Sequence, residues 1–325
     1  MTDDNDQPRN GHRAIDYSGD THLALNHLSS APDFFSAPIA TQRRYADRRW
    51  AEIASPPPHV PSVVTVTMPT AAGLLALRIY RPALVSRPRP GILYFHGGGF
   101  VLGGLDSHDP FLRTLCASLG SVVVSVDYRL APEHPFPAAA EDACGAADYL
   151  IRHADVFGID PELITVAGDG AGAALAATVV QHRRAANESG IIHQILITPL
   201  LRWPTEPDTM SRRIFSEGYD LTLELLDWFA SCYLPDPADR LDIRAAPGLA
   251  KDLRDLPPTT VITAGLDPLR DEGEQYAEEL AAANVDVALR RLDGAFHMLW
   301  LASAISPAVQ RTVIDTIDLR LGRRL

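Results

Sequence analysis

Four short segments carry the groups that acyl chemistry requires. The run His96-Gly97-Gly98-Gly99-Phe100 follows an apolar strand pattern, GILYF. Three consecutive glycines let a chain turn sharply and aim N–H groups at a ligand oxygen, the arrangement that stabilises an oxyanion. The second segment, Gly168-Asp169-Gly170-Ala171-Gly172, joins the strand pattern LITVA to the helical run AALAATVVQHRR. Its layout is that of a nucleophile elbow, G-x-S-x-G, where small residues flank a strained position whose side chain projects above a sheet. Position 170 is glycine, so the turn is kept and the hydroxyl is lost. A phosphate-cradling loop is the rival reading, but the spacing gives neither G-x-G-x-x-G nor a Walker lysine. The third and fourth segments place Asp267 after the run TTVITAG and His297 after VDVALRRL. Taken singly, a histidine is most often structural and an Asp before Pro most often caps a helix. Taken in order, a carboxylate that orients an imidazole and an imidazole that accepts a proton beside position 170 make an acid–base pair.

These residues need a frame. SVVTVTMP and LLALRIY, joined by a turn at residues 70–73, predict an antiparallel hairpin. GILYFH, SVVVSVD, LITVAG, QILIT and TTVITAG are short apolar β-branched runs, separated by helix-length segments near residues 109–119, 138–155, 171–187 and 269–284. Strands buried on both faces with crossover helices between them predict an α/β fold, a doubly wound and mostly parallel sheet. Ligands bind at the carboxyl edge of such a sheet, which is where all four segments fall. SPPPHVP at residues 55–61 breaks the chain, and residues 1–54 read as separable from the core, with a frayed start. Residues 38–53 carry Arg43, Arg44, Arg48 and Arg49 beside Tyr45, Trp50 and Ile53, the pattern of an amphipathic helix. A second insertion, residues 205–250, contains the Leu-, Trp- and Phe-rich stretch 221–233.

Composition narrows the function classes. Of 325 residues, 46% are hydrophobic and 22% charged, and 41 acidic residues against 29 basic ones give a net charge of −12, which repels phosphate backbones and anionic membranes. No nucleic-acid partner is expected. The acidic start MTDDNDQPRNGH has no signal-peptide pattern and no run reaches membrane-span length, so a cytoplasmic chain without a membrane span is expected. Cys116, Cys144 and Cys232 are widely spaced and lack ligand pairing, so neither a disulfide framework nor a metal site is expected.

HGGGF at 96–100, YRLAPEHPFP at 128–137, the elbow and DPLRDEG at 267–273 together resemble the hormone-sensitive lipase family of bacterial carboxylesterases, from about residue 60 to 300. Elbow, acid, base is also the chain order of α/β-hydrolases. The resemblance implies an α/β-hydrolase fold with an eight-stranded, mostly parallel sheet: a core of residues 55–204 and 251–325, and a helical lid from residues 1–54 and 205–250. It implies a triad with Gly170 at the nucleophile position, Asp267 as acid and His297 as base, and an oxyanion hole from the N–H groups of Gly97, Gly98 and Ala171. It implies a small-molecule ester or related carbonyl substrate of short to medium acyl length, no cofactor and no metal, and is compatible with a homodimer. The sequence departs from the family pattern at Gly170, at Ala173 where a second glycine is usual, and at Met298 where glycine is usual. Three readings follow: an ester hydrolase disabled in the acyl-enzyme mechanism, a divergent enzyme using His297, Asp267 and the oxyanion hole for non-covalent chemistry such as lyase, cyclase or direct water attack, and a ligand-binding pseudohydrolase. Asp169 as an aspartyl nucleophile would need the elbow shifted by one residue.

Overall fold

The computed structural model describes residues 17–27, 34–82, 88–203 and 209–322. The expected frayed start, residues 1–16, lies outside them. Eight strands form one sheet: β1 Ser62–Thr70, β2 Gly73–Arg81, β3 Arg89–Phe95, β4 Val122–Val126, β5 Ile159–Asp169, β6 His193–Ile197, β7 Thr259–Leu266 and β8 Val287–Phe296. Their order is β1-β2-β4-β3-β5-β6-β7-β8. β1 and β2 form the expected hairpin, with Thr70 paired to Gly73 across its turn. Thr70 Oγ1 accepts the Ala72 N–H and donates to the Gly73 carbonyl, which closes that turn. β2 also meets β4 antiparallel, and every pairing from β4 through β8 is parallel.

The helices are α1 Ser18–His27, α2 Ile39–Ile53, α3 Asp109–Leu119, α4 Ala138–Arg152, α5 Ala154–Phe157, α6 Ala171–Ala185, α7 Met210–Ile214, α8 Leu223–Tyr233, α9 Arg270–Ala282 and α10 Pro307–Gly322. Alternation along each strand decides which helix it meets. Leu93 and Phe95 of β3 join the apolar layer containing Ala143 and Leu150 of α4 and Leu175 and Val179 of α6. Ile92 and Tyr94, one residue out of phase, join Phe111 and Leu115 of α3 and Val309 and Val313 of α10 on the other face. Burial of each such large side chain contributes roughly 1.5–3 kcal/mol, so a one-residue slip of β3 would exchange two complete sets of contacts.

Within residues 1–54, the described segments 17–27 and 34–54 pack onto the core more closely than the sequence suggests. Tyr17 and Ala24 of the α1 region and Ile53 at the end of α2 belong to the α3/α10 layer, while Ala46 joins the other. Tyr17 N donates to Asp293 O at 3.0 Å and Thr21 Oγ1 to Gly294 O at 2.6 Å, so α1 is tied to β8. α2 is fastened over the glycine loop by Arg43, whose Nε donates to Val101 O and whose Nη2 donates to Ala131 O, both at 2.9 Å.

Candidate active site

Three strands deliver the site by ending at the same edge. β3 stops at Phe95 and releases the glycine run, β5 stops at Asp169 and turns into α6 through Gly170, and β8 stops at Phe296 immediately before His297. Gly170 has φ 51° and ψ −115°, a backbone that L side chains rarely adopt. The helix that follows approaches β3 so closely that a Cβ on Gly172 would lie 2.0 Å from the Phe95 carbonyl oxygen, which makes glycine obligatory there. Position 170 differs. A Cβ built on Gly170 meets only His297, 3.4 Å from Nε2 and 3.8 Å from Cε1, an ordinary van der Waals approach.

His297 and Asp267 are brought together as expected: Nδ1 lies 2.8 Å from Asp267 Oδ2. Asp267 Oδ1 accepts the Leu269 N–H at 2.8 Å, so both carboxylate oxygens are committed and the ring is oriented with Nε2 toward residue 170. Burial alone would push the His297 pKa down, but the Asp267 carboxylate, with a smaller contribution from Asp220, raises it above the ordinary histidine value.

The expectation for Gly97 is not met. Its N–H donates to Asp169 Oδ1 at 3.0 Å, beneath the loop, and it does not line the cavity. Gly98, Gly99 and Ala171 do line it. Ala171 opens α6, and the first amides of a helix have no partner within the helix. Asp169 faces away from the cavity: Oδ1 also accepts Tyr94 OH at 2.8 Å and lies 3.1 Å from His108 Nε2. Burial opposes ionisation of this carboxylate, yet the adjacent His108 and the Tyr94 hydroxyl hold its pKa below the usual range. It therefore acts as a clamp between elbow and glycine loop, and its geometry does not suit a nucleophile. Phe100 completes the loop at φ 64° and is stacked on Tyr233 of α8, ring centroids 3.9 Å apart.

The cavity above these residues measures about 380 Å³. One wall comes from Phe34, Phe35 and α2, the other from Leu221, Leu225 and Phe229 in and before α8. The two walls are joined by Arg49 Nη2 to Asp220 Oδ1 at 2.9 Å, side chains 21% and 14% exposed. Sequence reading did not single out Asp220. A contact between residues 171 positions apart leaves no local signal.

The profile of the α/β-hydrolase fold family matches residues 92–301. The esterase LipI of Mycobacterium tuberculosis is 37% identical over 267 residues, 80% of this chain and 82% of LipI. The carboxylic ester hydrolase LipN of the same organism is 42% identical over 255 residues, 75% of this chain and 66% of LipN. The chain belongs to the hormone-sensitive-lipase-like α/β-hydrolases. Among solved structures, an α/β-hydrolase from the metagenome of Lake Arreo, Spain, determined as a serine-to-alanine mutant, superposes with a TM-score of 0.89 at 35% identity, covering 94% of this chain and 97% of that one. An esterase from Pyrobaculum calidifontis gives 0.86 at 37% identity, covering 92% and 97%.

In this α/β-hydrolase the His297 environment predicts a pH dependence for a Gly170→Ser variant in which His297 serves as the base. The imidazole acts as a base only when deprotonated, so a raised pKa moves the acid limb of activity upward. In a Gly170→Ser variant, the acid limb of kcat/KM for a short ester lies above pH 6.5, the ordinary histidine value. Adding Asp220→Asn shifts that limb downward, because the Asp220 carboxylate favours imidazolium and its loss leaves Arg49 nearby. An unchanged limb would show that Asp220 has no electrostatic reach to His297.

Proposed function

We propose that this chain is a carboxylic ester hydrolase in framework, built for esters of short to medium acyl length, and that Gly170 stops it from forming an acyl-enzyme. The observation that carries the reading is that His297 Nε2 lies 3.4 Å from where a Cβ at residue 170 would stand, with Asp267 fixed behind the ring. In the serine-containing mechanism the imidazole would take the hydroxyl proton, Asp267 would hold the ring and stabilise its charge, and the Gly98, Gly99 and Ala171 amides would receive the carbonyl oxygen as it becomes anionic. The cavity of about 380 Å³ and its aromatic walls suit a small apolar ester. Residues 1–54 and 205–250 serve as the two lid segments, since α2 and α8 supply those walls. Apart from the serine hydroxyl that Gly170 lacks, each step uses groups this chain supplies.

A pure ligand-binding role fits less well, because a buried, oriented Asp267–His297 pair has no purpose in holding an inert ligand. The mechanistic core of the proposal is tested by covalent labelling. A fluorophosphonate leaves the mass of the unaltered chain unchanged and adds one phosphonyl group to Gly170→Ser, at residue 170. Stoichiometric labelling of the unaltered chain in this cavity, or a folded Gly170→Ser that resists the reagent, would overturn the reading.

A further inference from the structure

The geometry points to one-step acyl transfer: we propose that an ester bound in this cavity is attacked directly by a small free hydroxyl compound, water or methanol, held between Gly170 and His297. The inference rests on the ester-hydrolase reading and asks what the site does without a side chain at 170.

Three observations support it. First, the environment of residue 170 is open toward the imidazole, since the nearest atoms to a Cβ there are His297 Nε2 at 3.4 Å and Cε1 at 3.8 Å. Every other glycine of the site is closed: a Cβ would lie 2.1 Å from Asp169 Oδ2 at Gly97, 2.3 Å from Leu102 O at Gly98, and 2.2 Å from the Phe229 ring at Gly99. The space is therefore a property of position 170 and not of a loose loop. Second, the base is ready. His297 Nδ1 is held by Asp267 at 2.8 Å, so the ring is fixed as a donor there and Nε2 is the proton acceptor. Third, the amide side of the site is anchored independently of residue 170, through Asp169, Tyr94 and the Phe100–Tyr233 stack. Methanol carries the same hydroxyl group as water and marks its attack by a distinguishable methyl ester, which makes it the probe of choice.

The step balances without an added reagent. As the hydroxyl oxygen bonds to the ester carbonyl carbon, its proton passes to His297 Nε2 and the carbonyl oxygen becomes anionic toward Gly98, Gly99 and Ala171. Collapse re-forms the carbonyl, the alkoxide leaves, and Nε2 returns the proton to it. Water gives the acid and the alcohol. Methanol gives the methyl ester and the alcohol. No bond to the protein forms at any stage.

The test uses the unaltered chain with p-nitrophenyl butyrate and rising methanol, following p-nitrophenol release and methyl butyrate together. Direct attack makes the total protein-dependent rate of p-nitrophenol release rise with methanol, matched by methyl ester, with no initial burst. His297→Ala lowers that rate about a hundredfold, the usual share of a positioned base. Gly170→Ala also lowers it, because its methyl group occupies the space beside Nε2, and circular dichroism of both variants confirms that they remain folded. Constant p-nitrophenol release with only the product ratio changing would instead indicate a shared covalent intermediate and overturn the inference, as would rates insensitive to His297→Ala. Gly170→Ser separates this outcome from the parent reading. If it hydrolyses the ester while the unaltered chain shows no His297-dependent methanol effect, the direct step fails and the ester-hydrolase reading stands. If folded Gly170→Ser is also inert, the ester-hydrolase reading itself fails.

Discussion

Gly170→Ser is expected to raise turnover of a short p-nitrophenyl ester by several powers of ten, toward the roughly millionfold that loss of a triad nucleophile costs in a serine hydrolase. A millionfold corresponds to about 8 kcal/mol of barrier, and little else in the site has to move to supply it. The Cβ of the new serine enters at 3.4 Å from His297 Nε2, the Asp267–His297 pair is already formed, and the glycine loop is already clamped through Asp169. The gain has a cost in stability. At φ 51° and ψ −115° a serine is held in a sparsely populated backbone region, which costs on the order of 1–3 kcal/mol. Activity and melting temperature should therefore move in opposite directions. Steady-state kinetics and thermal unfolding of the same preparation check both, and a folded variant with no gain in ester turnover would refute the assignment of residue 170.

The second large effect lies behind Asp267. Glu272, in the first turn of α9, and Arg212 of α7 are paired, and each side chain is only 1% exposed. Glu272 Oε1 also accepts the Leu201 N–H at 2.6 Å, and Arg212 donates to the Arg202 carbonyl at 3.0 Å, so the pair joins the segment after β6 to the helix that follows Asp267. Burial pushes the Glu272 pKa up to about 7 against the opposing pull of Arg212. Glu272→Ala removes one member and strands a buried guanidinium, at an expected cost of about 3–5 kcal/mol. In a chain of 325 residues that is a fall in melting temperature of roughly 4–7 °C. Glu272→Gln keeps the volume and an acceptor for Leu201 N, so it should lose distinctly less. Equal losses in the two variants would mean that the carboxylate charge opposite Arg212, and not side-chain volume or the acceptor for Leu201 N, holds this corner.

What the sequence displays and what it hides divide along the distance between partners. β3 shows itself because GILYF is apolar on both faces, and β8 extends to Phe296, so the strand itself delivers His297. The elbow is legible because its small residues fall at fixed local spacing between a strand pattern and a helix pattern, although the approach that forces Gly172 comes from Phe95 of β3. Gly97 was misleading for the opposite reason. The three glycines of the run look equivalent, and only the buried carboxylate of Asp169, 72 positions away, distinguishes the first from the other two. Arg49 with Asp220, and Arg212 with Glu272, are likewise invisible as pairs, since charged residues at such separations carry no period to detect. The chain start reads as detachable because it is polar, yet Tyr17 and Ala24 are enough to seat α1 on the core.

The openness around residue 170 also bears on how this protein could change over generations. Glycine and serine codons can differ by a single base, and the neighbouring glycines of the site tolerate no such step, because a side chain there would strike backbone, a carboxylate or an aromatic ring. Among these site glycines, only at 170 does a point mutation add a hydroxymethyl group without a steric clash, at the cost of a strained backbone. On the ester-hydrolase reading proposed above, covalent ester chemistry would be lost or regained at one locus while the fold and the Asp267–His297 pair are inherited unchanged.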